Sequence, residues 1–190
     1  MDNPDLRTTV VFNVDGNDRI AVDPVHGKLF RTVGKRGIGC SNLDGSEPEL
    51  LSDTRGIKDI TVSIATGELC YVNEDTSKID CMDSRSKQIR TIVSDVTDTY
   101  YLAATNEIIF WSNYGSDTIE SINQDGVRRK ALSKPNNATE YESSQLIPVA
   151  DVCPLFYSPC AVENGGCPEN SICLPNPRAQ SGKICKSTIS

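Results

Sequence analysis

The sequence contains little histidine, little tryptophan and no long apolar run. His26 and Trp111 are the single residues of their types among 190. No stretch of about 18 apolar residues occurs, so the sequence predicts no membrane-spanning helix. The first 20 residues also lack a basic segment followed by an apolar run, which is the pattern of a secretory signal peptide.

Basic residues are fewer than acidic residues in this chain. The chain has 19 Lys and Arg against 26 Asp and Glu, which gives a formal net charge of −7. An acidic surface is poorly suited to nucleic-acid phosphates and to anionic lipid headgroups. We therefore expect no nucleic-acid partner and no direct membrane insertion of this chain.

Motifs of common catalytic sites are missing. The sequence has no Gly-x-Ser-x-Gly elbow, no phosphate-binding loop and no His-Glu-x-x-His. His26 lies in the turn sequence DPVHGK and is interpreted as a solvent-exposed turn residue. Asp15, Asp44 and Asp125 are interpreted as turn residues too. We expect that the protein is not an enzyme and has no cofactor.

Three related segments recur at a spacing of about 40 residues. Leu29, Leu69 and Ile109 superpose at that spacing, and Ile38, Ile79 and Ile119 align at steps of 41 and 40. The segments are GKLFRTVGKRGIGCSNLDG at 27–45, GELCYVNEDTSKIDCMDS at 67–84 and NEIIFWSNYGSDTIESINQDG at 106–126. An internal period of this length is typical of repeat architectures.

Each repeat contains four short β-type runs separated by turn residues. DRIAVDP, KDITVSI and TYYLAAT precede the three segments, and PELLSD, QIRTIVSD and VRRKALS follow them. Asp44-Gly45 and Asp125-Gly126 supply the positive φ that tight turns need. Four strands per 40-residue unit predict blades of a β-propeller, which must pack against one another. The alternative is a set of unrelated hairpins in a β-sandwich.

The repeats also define the expected domains. Residues 1–152 form a partial propeller with repeats at about 18–57, 58–98 and 99–135 and a closing segment at 144–152. Residues 153–190 form a separate small module, and four of the eight cysteines lie between positions 160 and 185. This cysteine density is typical of an oxidising compartment.

Two other cysteines flank a predicted hairpin. If its turn centres on Asp75-Thr76, Cys70 lies opposite Cys81, where Cβ atoms are about 4.5–5.5 Å apart. This register predicts a structural Cys70–Cys81 disulfide; the alternative is two buried free thiols. Cys40 and Cys153 remain without an assigned partner.

The repeats resemble the low-density lipoprotein receptor class B, or YWTD, propellers. IAVDPVHGKLF at 20–30 is similar to the opening of such a repeat. The YWTD tetrapeptide is degenerate: it reads Phe-Arg-Thr-Val at 30–33, Cys-Tyr-Val-Asn at 70–73 and Phe-Trp-Ser-Asn at 110–113. The family closes its ring with six blades, so the resemblance implies that this chain holds three to four of them and is a fragment.

The C-terminal region resembles the first two thirds of an EGF-like module. Its cysteines are separated by 6, 5 and 11 residues, and Asn-Gly-Gly-Cys stands at 164–167. Four cysteines allow three pairings; the resemblance implies Cys160–Cys173 and Cys167–Cys185. Ser158-Pro159 stands where some EGF-like modules have an acidic calcium-binding signature, so we expect no calcium site. The cysteine spacing contains no Cys-x₂-Cys pair, which zinc sites commonly use, so we expect no zinc site either.

The resemblance implies a function in binding proteins outside the cell. The first hypothesis is a ligand-binding or ligand-release module of an endocytic or signalling receptor, at the cell surface. Its ligands would be lipoprotein, yolk-protein or Wnt-pathway proteins, and the remaining blades of a parent propeller would be further partners. The alternatives are a nidogen-like matrix glycoprotein and a non-functional truncation.

Two kinds of surface feature complete the sequence predictions. Asn137-Ala138-Thr139 is an N-glycosylation sequon in a polar stretch. Trp111, Tyr114 and Tyr100 are aromatic candidates for ligand contact, although packing between blades explains each of them equally well. The sequence does not otherwise identify ligand-binding residues.

Overall fold

The computed structural model describes residues 18–114, 118–132, 146, 159–160, 163–175 and 179–187. Within these ranges the chain forms β-strands and two short 3₁₀ turns, at Gly34–Arg36 and Glu163–Gly166. None of the helical segments in the described part is long and apolar enough to cross a membrane. The predicted closing segment at 144–152 lies outside the described residues except for residue 146. The same is true of two other predicted positions, Asn137 and Cys153.

Twelve strands form three four-stranded antiparallel sheets, which we call blades 1, 2 and 3. Within each blade the strands neighbour one another in chain order. Blade 1 contains β1 Ile20–Asp23, β2 Lys28–Thr32, β3 Ile38–Asn42 and β4 Glu49–Ser52. Blade 2 contains β5 Ile57–Ser63, β6 Glu68–Asn73, β7 Lys78–Asp83 and β8 Ile89–Ser94. Blade 3 contains β9 Thr99–Ala104, β10 Ile108–Asn113, β11 Thr118–Asn123 and β12 Lys130–Leu132.

The three blades are arranged side by side with their first strands adjacent. β1 contacts β5, and β5 contacts β9. Each first strand is thus innermost, and the other three strands of its blade extend away from it. This arrangement confirms the prediction of an all-β, partial propeller.

Tight turns at the strand ends depend on glycine. Gly45 and Gly126, each the second residue of an Asp-Gly pair, have φ of 81° and 79°. These left-handed values are unfavourable for residues with a Cβ atom. The turns let β3 reverse into β4 and β11 into β12, and thereby hold each sheet in a simple meander.

The first apolar core lies between blades 1 and 2. One face of blade 1 contributes residues such as Phe30 and Ile38, both fully buried, and the facing side of blade 2 contributes Leu69, Tyr71 and Met82. Alternation along each strand places these side chains on one face. Burial raises the pKa of Tyr71 to about 12.

The second core lies between blades 2 and 3 and contains the disulfide. Cys70 and Cys81 pair directly across β6 and β7 and are bonded, with Cα atoms 4.0 Å apart. They pack in one buried cluster with Ile79, Ile109 and Trp111. Because the other face of blade 2 forms the first core, blade 2 is apolar on both faces.

A buried carboxylate links the innermost strands of blades 2 and 3. Asp59 on β5 accepts a hydrogen bond of 2.7 Å from the backbone N–H of Leu102 on β9. Burial raises the pKa of Asp59, and the hydrogen bonds from Leu102 and Ile60 oppose that rise. Arg19, just before β1, lies 3.6 Å from the same carboxylate. One side chain therefore joins three blades.

The third repeat is offset at its innermost strand. Aligned as the sequence segments stand, Thr61 corresponds to Leu102. In the structure Thr61 pairs with Cys70 and Ala103 pairs with the equivalent Phe110, so Thr61 corresponds to Ala103. The connection from β9 to β10 is shorter than the connection from β5 to β6. The residues of β9 that pair with β10 therefore lie one position later in the sequence than the alignment of the repeats predicts.

The small C-terminal module is a two-stranded sheet, β13 Ser171–Pro175 and β14 Lys183–Ser187. Disulfides join Cys160 to Cys173 and Cys167 to Cys185, which is the pairing that the resemblance implies. A Cβ atom on Gly165 would lie 2.6 Å from the sulfur of Cys173, so this position has room only for glycine.

Side-chain hydrogen bonds of Asn164 stabilise this module internally, and a hydrogen bond of Lys186 joins it to blade 1. The side-chain amide of Asn164 accepts from the N–H of Cys173 and donates to the carbonyl of Ser171, each at 2.9 Å. The Lys186 ammonium donates to the backbone carbonyl of Asp44 in the β3–β4 turn of blade 1. The module is therefore tied to the first blade through its second strand.

Replacing Asp59 tests whether it holds blades 2 and 3 together. Asp59→Ala leaves the buried N–H of Leu102 without an acceptor, and we expect a loss of about 1–3 kcal/mol in the free energy of unfolding. Asp59→Asn keeps an acceptor oxygen and should cost less. Urea unfolding of both variants, followed by Trp111 fluorescence, measures the difference; equal losses would contradict this role.

Because the pKa of Asp59 is raised, its contribution to the stability of the folded chain depends on pH. Its folded state holds the proton more tightly than the unfolded state does, whose pKa is near the ordinary value of 3.8. This residue's contribution to stability is therefore greatest below that value and declines as the pH rises through the folded pKa. Asp59→Asn should gain stability relative to the unmodified protein as the pH rises above the ordinary value of 3.8; a constant difference would contradict the assignment.

Candidate binding face

One end of the blades collects exposed aromatic and charged side chains. The starts of β5, β7 and β9 and the ends of β6, β8 and β10 meet at the same end, because consecutive strands run antiparallel. We call this end the binding face and define it by the residues Lys58, Glu74, Asp98, Thr99, Tyr100 and Tyr114. They come from blades 2 and 3.

An exposed pair of tyrosines is the most apolar feature of this face. Tyr100 and Tyr114 are 43% and 63% exposed, and their rings meet edge to face with centroids 5.8 Å apart. The backbone N–H of Tyr114 donates to the carbonyl of Asp98 at 2.9 Å, which fixes the end of β10 beside the start of β9. Paired, exposed tyrosines are typical of protein-binding surfaces.

A lysine and a glutamate lie next to the tyrosine pair. The Lys58 ammonium is 5.8 Å from the centre of the Tyr100 ring and 2.7 Å from the Glu74 carboxylate. The hydrogen bond to Glu74 is the main cause that raises the pKa of Lys58. Lys58 therefore remains charged at neutral pH and makes a cation–π contact with the ring of Tyr100.

The same residues line a hollow of about 260 Å³ where blades 2 and 3 meet. Polar, acidic and aromatic side chains share its wall with the apolar Val72 and Val96. Its lining consists of Lys58, Val72, Glu74, Ser77, Val96, Thr97, Asp98, Thr99 and Tyr100. Among the described parts of the chain, no group of three His, Cys, Asp or Glu side chains is placed to bind a metal ion.

A cluster on the innermost strands borders the face toward the centre of the propeller. The Arg19 guanidinium lies 5.9 Å from the centre of the Tyr101 ring, and Asp59 lies between blades on the adjacent strand. The Nε atom of Arg19 is buried and has no hydrogen-bond partner in the part of the chain that the structure describes. This cluster joins the blades but leaves little free polar surface.

The opposite end of the blades is occupied by mutual ion pairs. Arg90 forms a two-pronged pair with Glu68, at 2.8 and 2.5 Å, and also donates to the carbonyl of Gln124 at 2.6 Å. The Gln124 amide donates to the Ser63 hydroxyl at 2.6 Å and to the Thr105 carbonyl at 2.9 Å. Arg90 lowers the pKa of Glu68. These contacts join blade 2 to blade 3 at this end.

His26 lies in the turn between β1 and β2, as predicted, and its side chain is only partly exposed. Its side chain is 36% exposed, and its Nδ1 lies 2.7 Å from the Oδ2 of the buried Asp23. The ring also packs beside the next blade, since a Cβ atom on Gly67 would come within 2.9 Å of His26 Cε1. His26 is therefore part of the contact between blades 1 and 2.

The structure separates the three aromatic candidates. Trp111 is fully buried and contacts the Arg129 guanidinium, 5.4 Å from the ring centre, so it belongs to the core. Tyr100 and Tyr114 lie together on the binding face. Lys58, Glu74, Asp98 and Thr99 were not identified from the sequence, because their proximity depends on how blade 2 packs against blade 3.

The remaining cysteine of the described blades is buried. Cys40 is the free thiol among the cysteines in the described ranges and pairs across the sheet with Phe30. Burial raises its pKa to about 11, so the thiol stays protonated and unreactive at neutral pH. It fills space in the core between blades 1 and 2.

Substitutions of two aromatic residues should separate core from surface. We expect Trp111→Ala to lower the free energy of unfolding by about 3–5 kcal/mol, because it empties a buried site. Tyr114→Ala should change it by no more than about 0.5 kcal/mol, since the side chain is largely exposed. Urea unfolding followed by circular dichroism measures both; similar losses would contradict the assignment of Tyr114 to the surface.

Comparison with known proteins places the chain among extracellular propeller proteins. It is 33% identical to nidogen of Drosophila melanogaster over 154 residues, which is 80% of this chain and 11% of that protein. It is 27% identical to low-density lipoprotein receptor-related protein 4 of Homo sapiens over 126 residues, 66% of this chain and 6% of that protein. Both relatives are extracellular, non-enzymatic proteins with YWTD propellers. No protein-family model matches the chain.

A solved structure agrees with this assignment at the level of the fold. A structure of the nidogen and laminin complex superposes with a TM-score of 0.56 at 18% identity, over 62% of this chain and 48% of that one. The chain thus spans a small part of the curated relatives that it matches. With its three meander blades, disulfides and sequence similarity to two YWTD proteins, the chain belongs to the YWTD β-propeller family.

Proposed function

We propose that this chain is a non-catalytic, protein-binding module of an extracellular matrix glycoprotein of the nidogen type. The similarity to nidogen is higher and covers more of the chain than the similarity to the receptor-related protein. Three disulfides in the described residues are consistent with an extracellular location. The Asn137 sequon would be glycosylated in that location, and this stays a prediction.

The observation that carries the proposal is the exposed tyrosine pair on the binding face. Tyrosines bury a large area at low entropic cost and often dominate the energy of protein interfaces. A solved structure whose fold matches this chain is a complex of nidogen with laminin. We therefore propose a laminin-type protein as the partner and the binding face as the surface that it contacts.

A receptor module is the second candidate function. The match to low-density lipoprotein receptor-related protein 4 favours it, and its partners would be lipoprotein, yolk-protein or Wnt-pathway ligands. Release of such a ligand in acidic compartments often depends on several histidines. This chain has one, which contacts Asp23 between blades 1 and 2. Ligand binding therefore suits the chain better than acid-triggered release.

Surface plasmon resonance with purified laminin tests the leading proposal. We expect the 190-residue chain, secreted from eukaryotic cells, to bind laminin. Replacing Tyr100 and Tyr114 together by Ala should weaken binding by about tenfold or more, because each exposed ring contributes about 1 kcal/mol or more at an interface.

Ile89→Ala is the matched control, since Ile89 is 51% exposed at the start of β8, away from the binding face. This variant should bind laminin like the unmodified chain. Absence of laminin binding would refute the matrix proposal. Equal weakening by both variants would refute the assignment of the binding face.

A further inference from the structure

The hollow between blades 2 and 3 contains a polar group that the fold does not use. Thr99 is 5% exposed and lines the hollow. Its hydroxyl oxygen is buried and has no hydrogen-bond partner within the described residues. Buried polar groups are nearly always paired with protein, water or ligand. The oxygen is closed to solvent in this structure, so a partner from outside the fold reaches it only when the Thr99 side chain turns toward the hollow that it lines.

The charge around the hollow selects the kind of group. Glu74 and Asp98 both line it, and Glu74 is already paired with Lys58 at 2.7 Å. No ion pair of the Asp98 carboxylate is found within the described ranges, and Asp98 is exposed. The hollow therefore carries one excess negative charge beside an unpaired hydroxyl, an environment that suits a cationic donor.

The tyrosine rings beside the hollow also favour a cationic ligand. Tyr100 lines the hollow, and Tyr114 meets it edge to face at 5.8 Å. The Tyr100 ring already has a cation, Lys58, at 5.8 Å. An aromatic ring attracts a cation over its face, and the apolar stem of a long basic side chain packs well on such rings.

We propose that the hollow binds a lysine or arginine side chain of the partner protein. The cationic head donates to the exposed Asp98 carboxylate and, once the Thr99 side chain has turned toward the hollow, to its hydroxyl, while the aliphatic stem lies against Tyr100 and Tyr114. This inference rests on the proposed function in that it names the chemistry of the partner at the binding face. It does not depend on which protein supplies the side chain.

Titration of the isotope-labelled chain with small probes tests the site directly. The probes are N-acetyl-arginine amide and N-acetyl-lysine amide, with N-acetyl-glutamate amide as the control of opposite charge. We expect amide shifts at residues 74 and 98–100 that saturate with a dissociation constant of about 1 mM for the basic probes. The glutamate probe should leave those signals unchanged. Shifts spread over the whole surface, or equal shifts with all three probes, would overturn the proposal.

Two variants distinguish a ligand group from a structural one. Thr99→Val keeps the branched shape and removes the unpaired hydroxyl, so the melting temperature should stay the same or rise while the arginine probe binds at least about threefold more weakly. Asp98→Asn keeps a residue that tolerates the positive φ of 52° at this position and should weaken the probe by about tenfold. A drop in melting temperature with unchanged probe binding would assign Thr99 a structural role and overturn the proposal.

Glu107→Gln is the matched charge control, because Glu107 is exposed in the β9–β10 turn at the opposite end of blade 3. It should bind the arginine probe like the unmodified chain. The result for laminin is independent of these titrations. Laminin binding without any probe shift at 98–100 would refute the basic-side-chain site and leave the proposed function standing. Probe binding without laminin binding would support the site and refute the laminin partner.

Discussion

Blade 2 of this chain has two apolar faces, one buried against blade 1 and the other against blade 3. Phe30 and Ile38 of blade 1 pack on Leu69 and Tyr71, and the other face of blade 2 packs on blade 3. A four-stranded sheet of this size is not stable alone, because half of its side chains would face water. Packing between blades is therefore the condition on which every other feature of the structure depends.

The polar chemistry of the molecule is placed at the same junctions. Asp59 accepts the N–H of Leu102 on one side of the junction between blades 2 and 3, and Gln124 reaches Ser63 on the other. These bonds are buried or partly buried, so losing one partner leaves the other unsatisfied. The hollow at Thr99 lies at the same junction. The candidate binding site is thus a product of blade packing rather than of any single repeat.

The sequence predicted those features that depend on local periodicity. The alternation of apolar residues and one hairpin turn were sufficient to place Cys70 opposite Cys81, the register that the structure has. It did not predict the offset of β9, because a shorter hairpin changes the register without changing the composition. It named Tyr100 and Tyr114 as candidates but not the charged residues of the binding face, since Lys58, Glu74 and Asp98 meet only after blade 2 packs against blade 3.

Hydrogen exchange measured by mass spectrometry tests the dependence between blades most directly. If packing at the junction holds both blades, amides in 57–63 and 99–104 should exchange slowly and with a common opening free energy. Asp59→Ala should accelerate both segments by a similar factor, because it removes the acceptor of the Leu102 N–H. If blade 3 instead exchanged rapidly while blade 2 stayed protected, the blades would be independent units, and a binding site formed at their junction would be contradicted.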